Sequence, residues 1–216
     1  MLNYPYLEGL NSKQREAVMQ TEGPLLVLAG AGSGKTRVIT HRIVHIIHNG
    51  TEPFNILAVT FTNKAAKEMR ERVEVLVKKY PPSERAVLDS LPVVTTFHAL
   101  GVRILREFHE TLGLPRHFTI YDRADSLRAV KSAIEKAGHN PKEFEPRKIL
   151  GKISKAKGDA ITAETYKLSA TSFPDQVTAN VWEIYESILH GEHALDFDDL
   201  LIKTLLLIKN NSFIQE

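Results

Sequence analysis

The chain has 216 residues, 43% of them hydrophobic and 25% charged, with a formal net charge of +2 and no cysteine. That length supports one large domain or one and a half smaller ones, and the composition is ordinary for a globular protein. The lack of cysteine excludes a disulfide framework, a thiolate zinc site and cysteine catalysis, and the small net charge does not by itself call for a nucleic-acid partner. The opening residues MLNYPYLEGL carry no basic region followed by an apolar run, and no apolar stretch approaches the ~18–20 residues needed to cross a bilayer. A soluble, cytoplasmic protein with no membrane partner is expected.

In chain order, PLLVLAG (residues 24–30) reads as a buried strand, and a helical pattern runs from Lys35 to Asn49 and stops at Gly50. NILAVTF (55–61) reads as a second strand, followed by a long helix over 62–80 that Pro81 and Pro82 stop. LPVVTTF (91–97) is a third strand, with a helix over 98–113 behind it. Strands alternating with helices predict an α/β fold with a parallel sheet. After Pro115 the alternation ends: RADSLRAVKSAIEKAG, PRKILGKISKAKG and DQVTANVWEIYESILHG all carry helical patterns, which predicts a helical insertion or second subdomain. A last amphipathic segment, DFDDLLIKTLLLIKN (196–210), is expected to return to the first domain.

Between the first strand and the first long helix lies AGAGSGKT, residues 29–36. Gly30, Gly32 and Gly34 allow close approach and positive φ, so backbone N–H groups of Ala29, Gly30, Ala31, Gly32, Ser33 and Gly34 can converge on phosphate oxygens at a helix N-terminus. Lys35 is placed to bridge the β- and γ-phosphates of ATP, its catalytic role, and Thr36 to offer its hydroxyl to Mg²⁺. Ala29 departs from the usual leading glycine, a position that mainly requires a small residue.

AGAGSGKT resembles motif I of superfamily 1 helicases, in which alanine at that first position is common. With its flanking motifs, essentially the full chain resembles the N-terminal part of UvrD/Rep/PcrA-like DNA helicases. The resemblance implies a P-loop NTPase (RecA-like) parallel sheet, incomplete, with an all-helical inserted subdomain. It divides the chain into residues 1–115 (subdomain 1A, first part), 116–192 (helical subdomain 1B) and 193–216 (a returning helix). LNSKQREAV looks like the Q motif, which makes Gln14 the reader of the adenine edge; an amide offers both a donor and an acceptor. Arg37 matches an arginine that packs on adenine, as a planar guanidinium can; a solvated helix arginine is the plain alternative. AVTFTNKAAKEMRERV looks like motif Ia and VTTFHALGVRILR like motif Ib. Phe61, Thr62 and Asn63 in the first, and Thr96, Phe97 and His98 in the second, are then the candidates for contact with single-stranded DNA at strand ends. Thr62 or Asn63 can equally cap the next helix.

The implied parent is an ATP- and Mg²⁺-dependent motor acting on single-stranded DNA and on junctions of single- and double-stranded DNA, alongside its remaining domains. Motif II and the second RecA-like domain do not occur before Glu216, so residues 1–216 alone are expected to lack turnover. A nucleotide- or DNA-binding module without turnover and the N-terminal part of a nuclease-coupled helicase subunit are the competing readings. A small-molecule kinase would need a second substrate pocket.

Three other patterns are expected to be structural. His41, His45 and His48 face away from Ile39, Ile43, Ile46 and Ile47 on a helical wheel, which predicts a solvated face, and Arg42 replaces the glutamate of a zinc-protease motif. Arg147, Lys148, Lys152, Lys155 and Lys157 form an acid-free basic run, read as a solvated face or a duplex-DNA contact. Asp196 and Asp199 fit a helix start rather than a Mg²⁺ site, because LHGEHAL before them shows no strand pattern.

Overall fold

The computed structural model describes residues 4–82 and 91–215. The protein is mixed α/β and mostly helical, and it folds as two compact units, residues 1–97 and 98–216.

The first unit contains α1 (Ser12–Met19), α2 (Lys35–His48), β1 (Leu57–Thr60), α3 (Asn63–Lys79) and β2 (Val93–Thr96). The two strands pair in parallel from Leu57↔Val93 to Thr60↔Thr96, so they end side by side. Helix α3 starts where Thr62 accepts the Ala65 N–H at 3.1 Å. It buries Ala66, Met69, Val73 and Val77, one stripe at helical spacing. Arg70 reaches back from α3 and donates to the Val94 carbonyl at 2.7 Å, tying the helix to β2. Val18, Val44, Ile47 and Val73 are the centre of the core, closed by Tyr6, Leu7 and Leu10.

Two expectations fail in this unit. Residues 24–30 form no regular element and pair with no strand among the described residues, and Leu26 and Leu28 are 83% and 87% exposed rather than buried. An apolar run of strand length does not say whether a partner lies alongside; here β1 and β2 pair with each other and leave the run uncovered. Among the described residues, the parallel sheet of this unit is a two-stranded ladder.

The histidines of α2 are also not a solvated face. His41 and His45 are buried and His48 is half-buried. The Tyr6 hydroxyl hydrogen-bonds His45 Nδ1 at 2.9 Å, and His48 Nε2 donates to the Tyr80 carbonyl at 2.9 Å. Tyr4 meets the His45 ring edge-on at 5.3 Å, and Tyr6 lies 4.6 Å from His48. Burial holds both His41 and His45 below the ordinary histidine range, so they are neutral at physiological pH. Aromatics from the 3₁₀ turn Pro5–Leu7 and from the end of α3 cover a second side of α2.

The second unit contains most of α4 (Phe97–Glu107), then β3 (Thr119–Ile120), α5 (Arg123–Lys136), α6 (Pro146–Gly158), α7 (Ala163–Ser169), α8 (Phe173–Gly191), β4 (Ala194–Leu195) and α9 (Asp199–Asn210). Helices α5, α6 and α8 bury Val130, Ile134, Ile153, Val181, Trp182 and Tyr185 among themselves. A second cluster joins Leu105 of α4 to Phe118, Leu195, Leu200 and Leu207. Ala194 and Leu195 form a two-residue parallel ladder with β3, too short to show in the pattern of LHGEHAL.

The basic run of α6 is exposed at Arg147, Lys148, Lys152 and Lys155, as expected of a solvated face, but its last member is not. Lys157 is 4% exposed, and its ammonium lies 2.8 Å from Asp196, 2.8 Å from Asp199 and 2.9 Å from Glu186. Lys152 pairs with Asp175 of α8, and Lys148 with Glu145. The acids missing within the run come from elsewhere in the chain. Asp196 and Asp199 do start a helix: the Asp199 N–H donates to Asp196 at 2.8 Å, and the Asp196 N–H to Asp199 at 3.2 Å.

Candidate functional site

The loop 29–34 feeds directly into α2, with Gly34 as its N-cap at φ +84°. Only glycine adopts that conformation readily, and a Cβ on Gly34 would also come within 2.8 Å of Gln14 Nε2. Position 34 is therefore restricted to glycine by its backbone, and a larger residue would also push the Gln14 amide aside. Lys35 Nζ donates to the carbonyls of Gly30 and Ala29, at 2.7 and 3.2 Å, so the lysine folds back over the loop. Triphosphate oxygens offer that ammonium stronger, charged acceptors in the same place.

A cavity of about 570 Å³ opens beside the loop, lined by Ala29, Gly30, Ser33 and Lys35 on the loop side. Gln14 and Ala17 of α1 and Val38, Ile39 and Arg42 of α2 complete much of its wall. The volume suits a small-molecule ligand, and an apolar wall with a few convergent polar groups is the usual form of such a site. Gln14 closes the start of α1: its Oε1 accepts the Asn11 N–H at 3.1 Å, while its own N–H donates to Asn11 at 2.8 Å. Its Nε2 donates to the Ser33 carbonyl at 2.9 Å. One lone pair and one N–H of the amide remain for a ligand, the complement of an edge that donates and accepts.

The other loop positions, Ala31, Gly32, Gly34 and Thr36, sit beside rather than in the cavity wall. Arg37 is exposed on the far side of α2. It lines a separate groove with Thr40, His41 and α3, and its guanidinium lies close to Gly9. Sequence reasoning missed Arg42 as a wall residue. Its spacing of two turns from Lys35 puts both on one helix face, a signal that was available.

At the ends of β1 and β2 the structure brings two aromatics together. Phe61 is 89% exposed, and its ring lies 5.8 Å from that of Phe97, which is 43% exposed. Asn63 beside them is exposed, Thr62 is engaged as the cap of α3, and Thr96 is buried in β2. His98, in the second unit, packs its ring 5.1 Å from Phe197.

Together these features define a mixed α/β protein with a glycine loop and lysine at a helix N-terminus, opening on a ligand-sized cavity. The chain belongs to the UvrD/REP helicase N-terminal domain family, whose model matches residues 10–216. It is 45% identical over 202 residues to an ATP-dependent DNA helicase PcrA of Bacillus subtilis, covering 93% of this chain and 26% of that protein. A PcrA of Leuconostoc citreum is 45% identical over 94% of this chain, and one of Staphylococcus aureus 43% identical over 94%. The chain spans about a quarter of the length of the curated relatives it matches. Among the described residues, no helix is long and apolar enough to cross a membrane.

Proposed function

We propose that this chain is the N-terminal ATP- and single-stranded-DNA-binding part of an ATP-dependent DNA helicase. The observation that carries the reading is the cavity in which the loop lysine Lys35 and the amide of Gln14 face one ligand-sized space. Phosphates belong at the loop and the first turn of α2, where N–H groups and the helix dipole favour anions. Thr36 holds Mg²⁺ there, and the base lies toward Gln14. Phe61 and Phe97 offer rings on which bases of single-stranded DNA stack, with Asn63 near a phosphate. Hydrolysis coupled to translocation along DNA, and action at junctions of single- and double-stranded DNA, belong to the whole helicase.

Residues 1–216 by themselves bind ATP rather than turn it over. Asp196 and Asp199, the acids nearest in pattern to a Mg²⁺ site, are held by Lys157. Titration calorimetry tests the binding. Lys35→Ala is expected to weaken MgATP by about tenfold to a hundredfold, the worth of a charge-assisted contact of about 1.5–3 kcal/mol. Equal affinity in the variant defeats the assignment of the phosphate site. Lys35-dependent phosphate release, measured with single-stranded DNA present, defeats the proposal that these residues do not turn ATP over.

The strand-end aromatics give a separate expectation. Phe61→Ala weakens binding of a short oligothymidylate by about 1–3 kcal/mol, the range for one base stacked on one ring. Anisotropy titration at fixed salt reads it, and a loss confined to the salt dependence points to phosphate contact instead.

A further inference from the structure

We propose that Arg42 is the positioning residue that fixes the spacing between the base and phosphate ends of this cavity; this rests on the nucleotide reading above. The two ends are carried by different helices. The phosphate end is the loop and the start of α2, and the base end is Gln14 on α1. What sets the separation is how α1 is held against α2.

Helix α1 has little of its own to hold it. It is eight residues long and buries a single side chain, Val18. Isolated helices of that length are unstable in water, so its position depends on tertiary ties. At its N-terminal end the tie is Gln14, through Nε2 to the Ser33 carbonyl. That contact lies at the site itself, on a side chain that lines the cavity. At the C-terminal end the tie is Arg42. Its Nη1 donates to the Ala17 carbonyl at 2.8 Å and to the carbonyl of Gln20, the C-cap.

These are carbonyls that a helix end leaves without an intrahelical donor, and a cation there also meets the negative end of the helix dipole. Arg42 is itself two turns along α2 from Lys35, on the same face. The rigid helix α2 therefore bears the phosphate anchor at its first turn and the α1 anchor two turns on. Arg42 faces the cavity wall beside Ala17 and Val38, yet its guanidinium is engaged with backbone carbonyls. Its effect on a ligand passes through α1.

Affinities for MgATP and for inorganic tripolyphosphate separate this role from a direct one. Tripolyphosphate probes the loop alone, whereas ATP needs both ends in register. Arg42→Ala is expected to weaken ATP about tenfold, equivalent to about 1.4 kcal/mol, and to leave tripolyphosphate within about twofold. Arg42→Lys keeps the cation but loses the planar fork that spans two carbonyls, so it falls between. Gln14→Ala is the reference for loss of the base end. Unchanged ATP affinity in Arg42→Ala overturns the proposal, and so does a parallel loss of tripolyphosphate, which would mean direct phosphate contact or general misfolding. If the alanine variant does not fold, the lysine variant decides by the same two affinities. Wild-type protein without Lys35-dependent tripolyphosphate binding overturns the nucleotide reading itself, a result distinguishable from failure of the Arg42 role alone.

Discussion

Replacing Lys157 by alanine is expected to destabilise the second unit by about 3–5 kcal/mol at neutral pH, the usual consequence of removing one partner from a buried ion cluster. Three carboxylates surround this ammonium, and two of them, on Asp196 and Asp199, are themselves buried. Tyr185 donates to Asp196 at 3.0 Å and Trp182 to Glu186 at 3.0 Å, so the acids are further fixed in place. Lys203 stands 3.7 Å from Glu186 and 3.8 Å from Asp199, but it is partly in solvent and neutralises less. Burial tends to lower the Lys157 pKa, and the attraction of Asp199, Glu186 and Asp196 outweighs it, leaving it above the ordinary lysine value. Burial raises Asp199 from 3.8 to about 6, against the pull of Lys157 and with repulsion from Asp196.

The sign of the pH dependence follows from those shifts. A raised carboxylate favours the folded state below its unfolded value and loses that contribution as pH rises through about 6. Without Lys157 the Asp199 value rises further, so the deficit of the variant is greatest near pH 7 and shrinks as the solution is acidified towards pH 4. Lys157→Met restores most of the volume but no charge and is expected to be nearly as unstable as the alanine variant. Trp182 is the chain's single tryptophan and is buried in this unit, so urea unfolding followed by its fluorescence reads the effect directly. A loss below about 1 kcal/mol, full rescue by methionine, or a deficit that grows on acidification would each sink the electrostatic account.

Lys157 also shows where reading the sequence stops being informative. The turn into α2 is legible because its pattern is local: small residues, a lysine and a helix start lie within eight positions, and α2 does begin at Lys35 behind a left-handed Gly34. The ends of β1 and β2 are legible for the same reason, since a strand, a turn and a capping threonine are adjacent in sequence. The burial of Lys157 depends on acids 29, 39 and 42 positions away, and no charge pattern inside PRKILGKISKAKG announces them. The histidines of α2 mislead in the same manner. A helical wheel gives the angle between two faces, but only Tyr4, Tyr6 and Tyr80 decide that both are covered. The run 24–30 errs in the opposite direction, apolar enough for a core yet exposed at Leu26 and Leu28 and paired with no strand among the described residues.

The second large effect is expected at Gly101, where sequence reasoning sees only a glycine inside a helix. In an exposed helix interior, Gly→Ala stabilises by about 1 kcal/mol, because alanine loses less backbone entropy on folding. Gly101 is buried in α4, however, and a Cβ there would collide with the backbone oxygen of Leu200 in α9. It would also lie 3.1 Å from Thr204 Oγ1 and 3.3 Å from the Leu200 carbonyl carbon. The obstacle is backbone and cannot rotate away, and the same oxygen accepts the Thr204 hydroxyl at 2.7 Å. Helix α9 would have to shift as a body, pulling Leu200 and Leu207 from their contacts with Leu105 and Phe118. Overpacking of this kind costs about 1–3 kcal/mol, occasionally more. Subtracting the propensity gain leaves Gly101→Ala destabilised by up to about 2 kcal/mol, and Gly101→Val, with two further carbons and no such gain, by clearly more. Gly151 in α6 is the control: it is exposed, nothing stands within 4 Å of an added Cβ, and Gly151→Ala is expected to stabilise. Urea midpoints read on Trp182 should therefore move in opposite directions for the two alanine variants. If both rise together, α4 and α9 do not meet closely at Gly101, and the glycine has no packing role.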